Sequence, residues 1–244
     1  MKCPKATVFD VDDTLAESFR PPSHQMMSKL ELLLAHVPIA IVSAAGFPRI
    51  ERDFLHTLSR SPHASNLYVL PNSSAQAYTW NDGWTEEYSL ALSPTERNII
   101  RDAILECAER PDPRAIIIDR EVQVAYATIG LDASLEEKKA WDPDQSKRKE
   151  LKTFLDKRLP GYEVLIGGMT TIDITRKGVS KAYGVRWLAE RLKCEPSDMF
   201  YVGDALYPGG NDAVVIPTGI QTRSVTGPSE TESIIDELIA ACSA

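Results

Sequence analysis

The sequence predicts an α/β protein: a doubly wound parallel sheet that carries an inserted α+β domain. Towards both ends of the chain, short apolar runs alternate with amphipathic segments. This alternation favours a parallel sheet, because each crossover helix returns the chain to the same edge. The middle of the chain has its own group of helical and strand-like segments, which predicts a separate folding unit there.

The predicted parallel sheet takes its strands from short runs that are rich in valine and isoleucine and end at turn residues. These runs are residues 6–11, 38–44, 67–70, 199–203 and 213–217. Amphipathic spacing predicts helices at residues 24–35, 47–59 and 180–193. Sheet and helices together form a main domain of residues 1–82 and 177–244.

The inserted domain is predicted at residues 83–176 and opens after the turn WNDGW at residues 80–84. It combines two helices with about four strands. The helices are predicted near residues 94–109 and 145–159, and the strands in AIIIDR, VQVAYATIG, YEVLIGG and TTIDIT. Such a set is large enough to form a small α+β domain.

Composition excludes several classes of protein. The 244 residues are 43% hydrophobic and 25% charged, as in ordinary globular proteins. No apolar run approaches the ~20 residues of a membrane span. The N-terminus does not resemble a secretion signal, so a cytoplasmic location is expected. Four scattered cysteines without a CxxC pair predict reduced thiols, with neither a zinc site nor a disulfide framework.

The net charge of −8 argues against a nucleic acid or an anionic membrane as the partner. An anionic substrate would therefore need local positive charge, from a metal ion, a lysine or a helix N-terminus. The sequence makes no prediction of the oligomeric state. It also lacks the G-x-G-x-x-G and G-x-x-x-x-G-K-[ST] signatures, which disfavours dinucleotide-binding proteins and nucleotide-driven motors.

The segment FDVDDTL places Asp10 and Asp12 at the end of the first predicted strand. Residues i and i+2 of a strand point the same way, so both carboxylates face one spot. Open α/β sheets bind ligands at this edge, and two carboxylates there could hold Mg²⁺. An acidic turn after a strand explains the tripeptide equally well.

Three later segments add polar side chains at the edges of predicted core elements. Ser43 follows the second strand, and Lys181 lies in the first turn of a helix opened by GVSK. Lysine is unfavourable there for the helix dipole, and an anionic ligand would explain it. YVGDALYPGGND ends a further strand at Asp204 and adds Asp212. A third carboxylate at a strand end favours a functional site over chance.

The order of these segments resembles the four motifs of the haloacid dehalogenase-like (HAD) phosphatase superfamily. The inserted domain resembles the α/β cap of Cof-like sugar phosphatases, sucrose-phosphate phosphatase and eukaryotic phosphomannomutase. GGMTTIDITRKGVSK, GDALYPGGND and LYVLPNSSAQAY are similar to stretches of the last group. This likeness selects Lys181 over Lys177 as the motif lysine. Arg120 matches a cap arginine of the mutases, whereas Leu131 stands where a second is expected.

The resemblance implies roles for the motif residues. Asp10 would be the nucleophile and Asp12 the general acid and base. Ser43 and Lys181 would bind the phosphate. Mg²⁺ would be held by Asp10, the main-chain carbonyl of Asp12 and Asp204, while Asp212 would either complete this shell or orient Lys181.

In the cap, Thr171 and Asp173 share one face of the strand TTIDIT. Alone, this pattern is typical of a half-buried strand with a polar outer face, but the resemblance implies contacts with a sugar. Arg120 would bind a distal phosphate or hydroxyl groups.

These inferences predict a Mg²⁺-dependent phosphatase acting on a small phosphorylated metabolite, such as a sugar phosphate, through an aspartyl-phosphate. Leu131 argues against a mutase, which must grip a second phosphate in the cap. Two alternatives stay open: a phosphomannomutase-type phosphosugar mutase, and a catalytically silent binding module with the same fold.

Overall fold

The computed structural model describes residues 2–107 and 111–243. The chain divides into two compact units. The core unit comprises Met1–Ser89 and Lys181–Ala244, and the inserted unit comprises Leu90–Ser180.

The core unit contains a seven-stranded sheet with the order β11-β10-β1-β2-β3-β4-β5. Five strands, from β11 to β3, run parallel, while β4 and β5 are antiparallel. The strand bounds are β1 Thr7–Phe9, β2 Ile39–Val42, β3 Leu67–Leu70, β4 Gln76–Trp80, β5 Trp84–Ser89, β10 Phe200–Gly203 and β11 Gln221–Ser224.

The helices are numbered along the chain. They are α1 His24–Leu34, α2 Phe47–Ile50, α3 His56–Leu58, α4 Pro71–Ser74, α5 Pro94–Cys107, α6 Leu135–Trp141, α7 Ser146–Arg158, α8 Lys181–Arg191 and α9 Pro228–Cys242. A π-helical segment, Glu51–Leu55, joins α2 to α3. No helix in residues 2–107 and 111–243 is long and apolar enough to cross a membrane.

Helices cover both faces of the core sheet. Leu30 and Leu33 of α1 and Ile235 of α9 pack with Ile39 and Ile41 in one apolar cluster. A second cluster joins α8 to the other side of the same strands. Alternate residues of each strand belong to one cluster or the other, because successive side chains point to opposite faces of the sheet. The doubly wound α/β fold predicted from the sequence is therefore confirmed.

The inserted unit contains a four-stranded antiparallel sheet with the order β6-β7-β9-β8. Its strands are β6 Ile116–Asp119, β7 Val124–Ala127, β8 Tyr162–Gly167 and β9 Thr171–Arg176. The apolar sides of α5 and α7 pack on one face, through Ile100, Ile104 and Leu155. Helix α6, which begins with a capping box at Ser134, was not predicted.

The two compact units divide a few residues later than the predicted boundaries, which fall after residue 82 and before residue 177. Trp84–Ser89 pairs with β4 and closes a hairpin in the core sheet, so the inserted unit begins later, at Leu90. The core unit resumes at Lys181, because the turn after β9 stays with the inserted unit through hydrogen bonds such as Thr175 to the Val179 carbonyl.

The predicted strand at residues 213–217 is also wrong. Ala213–Thr218 forms a 3₁₀ helix in which only Val215 is fully buried. Short apolar runs fit a buried helix as well as a strand, and periodicity cannot separate the two. The last strand is instead β11, whose residues are polar and exposed at the sheet edge.

The expectation of reduced thiols is wrong for two of the four cysteines. Cys3 and Cys242 form a disulfide, with their Cα atoms 4.7 Å apart. The pair is 239 residues apart in sequence, so spacing gives no sign that the chain ends meet. Cys107 and Cys194 are free thiols.

Candidate functional site

The predicted motif residues of the core unit gather where the strand order reverses. Strand β1 lies between β10 and β2. Asp10 follows β1, Asp204 follows β10 and Ser43 follows β2. The carboxyl ends of parallel neighbours meet at one sheet edge, and a crevice forms there because the flanking chains leave in opposite directions.

A buried lysine joins two of the carboxylates. Lys181, the first residue of α8, is 2% exposed, and its ammonium group donates to Asp10 Oδ1 and Asp212 Oδ1, each at 2.6 Å. Asp10 and Asp212 are also buried. The three side chains come from distant parts of the chain, and the fold alone brings them together.

Asp212 is held by further donors. The hydroxyl of Tyr201, in β10, donates to Asp212 Oδ1 at 2.5 Å, and the backbone N–H of Ala205 donates to Oδ2 at 3.0 Å. A Cβ on Gly203 would lie 2.4 Å from the same carboxylate, so glycine is needed there. Both oxygens of Asp212 thus have protein donors, and this geometry favours the orienting role for Asp212.

The positive charge of Lys181 does not balance the carboxylates of Asp10, Asp204 and Asp212. Burial and the carboxylates of Asp212 and Asp204 raise the pKa of Asp10 well above its usual value, although Lys181 opposes this. Burial, with the charge of Asp212, also raises the pKa of Asp204 to about 7. The pKa of Lys181 is raised: burial lowers it, but Asp10 and Asp212 outweigh burial. One ammonium therefore faces three carboxylates, an arrangement that favours additional positive charge.

The residues fit a divalent cation. Asp10, Asp204 and Asp212 each offer an oxygen, and these atoms lie within 4.8 Å of one another. The side-chain oxygen of the neighbouring Asn211 is buried and has no hydrogen-bond partner among the residues that the structure describes. An all-oxygen donor set with excess negative charge suits Mg²⁺ better than softer metals.

Asp12 lies outside this cluster of three carboxylates. Its carboxylate forms a bidentate pair with Arg49 of α2, with Nη2 to Oδ1 at 2.6 Å and Nη1 to Oδ2 at 3.0 Å. Arg49 Nε also lies 3.7 Å from the carboxylate of Asp53. The predicted general acid and base is therefore charge-paired.

Ser43 is held by its own loop and by the start of α4. Its hydroxyl accepts the N–H of Ala45 at 3.0 Å, and its carbonyl accepts the N–H of Ser73 at 2.8 Å. Ser73 and its neighbour Asn72 have left-handed φ angles of 57° and 51°. Because the Ser43 hydroxyl accepts one hydrogen bond, its own hydrogen remains available for a phosphate oxygen.

The predicted sugar-binding residues lie in the inserted unit. Thr171 and Asp173 share one face of β9, opposite to the apolar cluster. A Cβ on Gly167 of β8 would lie 2.0 Å from the Asp173 carboxylate and 2.6 Å from the Thr171 hydroxyl. Gly167 therefore leaves the space that both side chains occupy. Arg120 follows β6, where it donates to Gln123 at 2.6 Å.

Sequence reasoning missed four residues that shape these sites: Arg49, Tyr201, Gly167 and Thr14. Thr14 is buried, and its hydroxyl accepts the backbone N–H of Asp204 at 3.1 Å. For Tyr201, the sequence offers one signal: a polar hydroxyl stands inside the apolar run before Gly203. Nothing in the local sequence separates Arg49 from a solvated helix arginine.

Comparison with known proteins identifies a family for the chain. Residues 110–241 match the family model of eukaryotic phosphomannomutase. Phosphomannomutase 2 of Dictyostelium discoideum is 24% identical over 248 residues, covering 94% of each chain. A phosphomannomutase of Galdieria sulphuraria is 26% identical over 246 residues, also covering 94% of each chain.

Among solved structures, IMP-bound IMP-nucleotidase of Plasmodium falciparum superposes with a TM-score of 0.72 at 18% identity. The match covers 97% of this chain and 68% of that one. At this identity the likeness concerns the fold alone. The family match covers more than half of the chain, and the chain therefore belongs to the eukaryotic phosphomannomutase family of the HAD superfamily.

Proposed function

We propose that this protein is a Mg²⁺-dependent phosphohexose mutase of the phosphomannomutase type, with Asp10 as the nucleophile. The observation that carries the aspartyl-phosphate chemistry is the contact of Lys181 with Asp10 Oδ1, because it holds the carboxylate beside a cation that can also bind a phosphate. The phosphomannomutases that resemble the chain over nine-tenths of its length support transfer to a sugar. The mutase is therefore preferred to the phosphatase that the sequence predicted.

The proposed chemistry proceeds in two transfers. Asp10 Oδ2 forms a bond to phosphorus while the bond to the ester oxygen breaks, and Asp12 gives that oxygen a proton. A second sugar hydroxyl then loses its proton to Asp12 and attacks the aspartyl-phosphate. Lys181 and Ser43 bind the non-bridging oxygens throughout. Bound to Asp10, the Asp12 carbonyl and Asp204, Mg²⁺ would offset the repulsion between a carboxylate and a phosphate dianion.

The inserted unit would supply the sugar contacts of this reaction. The buried carboxylate of Asp173 and the hydroxyl of Thr171 suit sugar hydroxyl groups, and Gly167 leaves them room. The guanidinium of Arg120 suits a phosphate or a hydroxyl group. Such a substrate is a small phosphorylated metabolite.

Hydrolysis of a phosphohexose is the second candidate, and Leu131 favours it. This side chain is 57% exposed and stands where the mutases are expected to carry a second cap arginine. A weaker grip on a second phosphate would leave the aspartyl-phosphate open to water.

The deciding experiment supplies mannose 1-phosphate with a hexose bisphosphate and Mg²⁺, and follows the products. Mannose 6-phosphate without free phosphate supports the mutase, whereas free phosphate supports the hydrolase. Asp10→Asn is the control, and its full activity would overturn the nucleophile assignment. No turnover of a broad panel of phosphoesters would instead support a silent binding module.

A further inference from the structure

The carboxylate of Asp12, which transfers protons in the proposed reaction, is paired with Arg49. Asp12 must give a proton to the leaving oxygen and later take one from a hydroxyl group. Both of its carboxylate oxygens accept hydrogen bonds from Arg49, at 2.6 Å and 3.0 Å. The bidentate guanidinium covers the edge of the carboxylate where a proton binds most strongly, so this pair must loosen for efficient proton transfer by Asp12.

Arg49 can break its contact with Asp12 and still have a carboxylate, that of Asp53, nearby. Its Nε lies 3.7 Å from Asp53, whose side chain is 5% exposed. An arginine guanidinium stays protonated in proteins, so Arg49 keeps its charge when the pair opens. The nearby carboxylate of Asp53 can then hold it beside Asp12.

The location of the pair indicates which part of a substrate Arg49 would meet. The transferred phosphoryl group belongs with Asp10 and Lys181, whose side chains are in contact. Asp12 lies outside the cluster that Asp10 forms with Asp204 and Asp212. In the proposed reaction Asp12 faces the leaving oxygen, so Arg49 lies on the leaving-group side.

We propose that Arg49 binds an anionic group on the leaving part of the substrate, namely a second phosphate, and thereby releases Asp12 for proton transfer. This inference rests on the proposed function and names the residue that would bind the second phosphate of a doubly phosphorylated hexose, a group for which the cap has Leu131 instead of a second arginine. The planar guanidinium matches phosphate with two parallel hydrogen bonds, as it matches the Asp12 carboxylate here. Substrate binding then replaces the pair of Arg49 and Asp12 with a pair of Arg49 and the phosphate. A leaving group without a phosphate cannot make this replacement.

The test compares two substrates that differ by one phosphate, mannose 1-phosphate and mannose 1,6-bisphosphate. Arg49→Gln is expected to raise KM for the bisphosphate about tenfold or more, because charged hydrogen bonds are lost. For the monophosphate, kcat/KM is expected to rise, about fivefold at most, because Asp12 no longer needs release from a partly exposed pair.

Two further variants sharpen the comparison. Arg49→Lys keeps the charge without the planar fork, and its KM for the bisphosphate should lie between those of the parent protein and Arg49→Gln. Arg52→Gln is the matched control, since Arg52 lies on the same segment, contacts Asp53 and is 70% exposed. It should alter neither substrate's kinetics.

Equal losses with both substrates in Arg49→Gln would overturn the inference and leave Arg49 as a residue that only orients Asp12. If the parent protein turns over neither sugar, the proposed function fails. The inference is then decided by calorimetric titration of the same two sugars. Loss of the preference for the bisphosphate in Arg49→Gln supports an anion site at Arg49, and an unchanged preference overturns it.

Discussion

The ammonium group of Lys181 lies 2.6 Å from the carboxylate of Asp10, which joins the start of α8 to the end of β1. A lysine in the first turn of a helix opposes the helix dipole. Asp10 and Asp212 supply the compensating charge, so no external anion is needed to explain the lysine. The contact also fixes one oxygen of the proposed nucleophile.

Replacing Lys181 with methionine should destabilise the protein by about 3–5 kcal/mol, because the variant leaves buried carboxylates without their cation. Urea unfolding in the presence of a chelator measures the loss, and Mg²⁺ should restore part of it. Lys177→Met is the control, since Lys177 is 62% exposed and forms an ion pair with Glu163 at 3.4 Å. Equal stability of the two variants would contradict the charge arrangement described above.

Tyr201→Phe removes the buried hydroxyl that donates to Asp212. A charged acceptor loses one partner, so stability should fall by about 1–3 kcal/mol. Because Asp212 then holds Lys181 less firmly, kcat should fall while KM for the sugar and Mg²⁺ affinity stay unchanged. Steady-state kinetics and calorimetry separate these quantities.

The control for Tyr201→Phe is Tyr183→Phe, a half-buried tyrosine of α8 whose ring contacts Tyr88. This variant should leave kcat unchanged. A parallel fall of Mg²⁺ affinity in Tyr201→Phe would argue instead that Asp212 binds the metal directly.

The core sheet could be predicted because its central strands are short runs of buried apolar residues with little ambiguity. Strand β11 could not, since its sequence QTRS is polar and exposed, and only pairing with β10 makes it a strand. Residues 213–217 are equally apolar but form a 3₁₀ helix that ends at the left-handed Gly219. The hydrophobic pattern of the sequence thus predicts the buried central strands but not the exposed strand at the edge of the sheet.

For the candidate site, the sequence predicts which residues stand at strand ends but not how their side chains pair. The positions of Asp10, Ser43 and Asp204 follow from the topology. Arg49 is 37 residues from Asp12, and their contact depends on how the loop after β2 directs α2. Chain separation likewise hides the disulfide. Such pairings are tertiary and leave no local pattern.

The raised pKa of Asp204, about 7, makes Mg²⁺ binding depend on pH. The metal binds the carboxylate form, which is the minor form below pH 7, so affinity should rise with pH and level off above about pH 8. Calorimetric titration between pH 5.5 and 8.5 measures this. Asp204→Asn should bind Mg²⁺ more weakly and depend less on pH, with the remaining dependence due to Asp10, whose pKa is also raised. A constant affinity in the parent protein would contradict the prediction.

Reducing the bond between Cys3 and Cys242 should lower the free energy of unfolding by on the order of 2–5 kcal/mol, since it closes a very long loop. Thermal unfolding with and without a reductant measures the effect. Cys3→Ser should match the reduced protein and no longer respond to reductant. Cys107→Ser, which removes a free thiol, should behave like the parent protein. An unaltered melting temperature on reduction would contradict a stabilising bond.

Gly167→Ala tests whether the space beside Asp173 is needed. The new Cβ would lie 2.0 Å from the Asp173 carboxylate and 2.6 Å from the Thr171 hydroxyl, so both side chains must shift. Stability should fall by about 1–3 kcal/mol, and KM for the sugar should rise if these residues bind it. Gly161→Ala is the matched control, because its added Cβ would meet no described heavy atom within 4 Å other than those of its chain neighbours. Lower stability with unchanged KM would leave Asp173 as a structural residue.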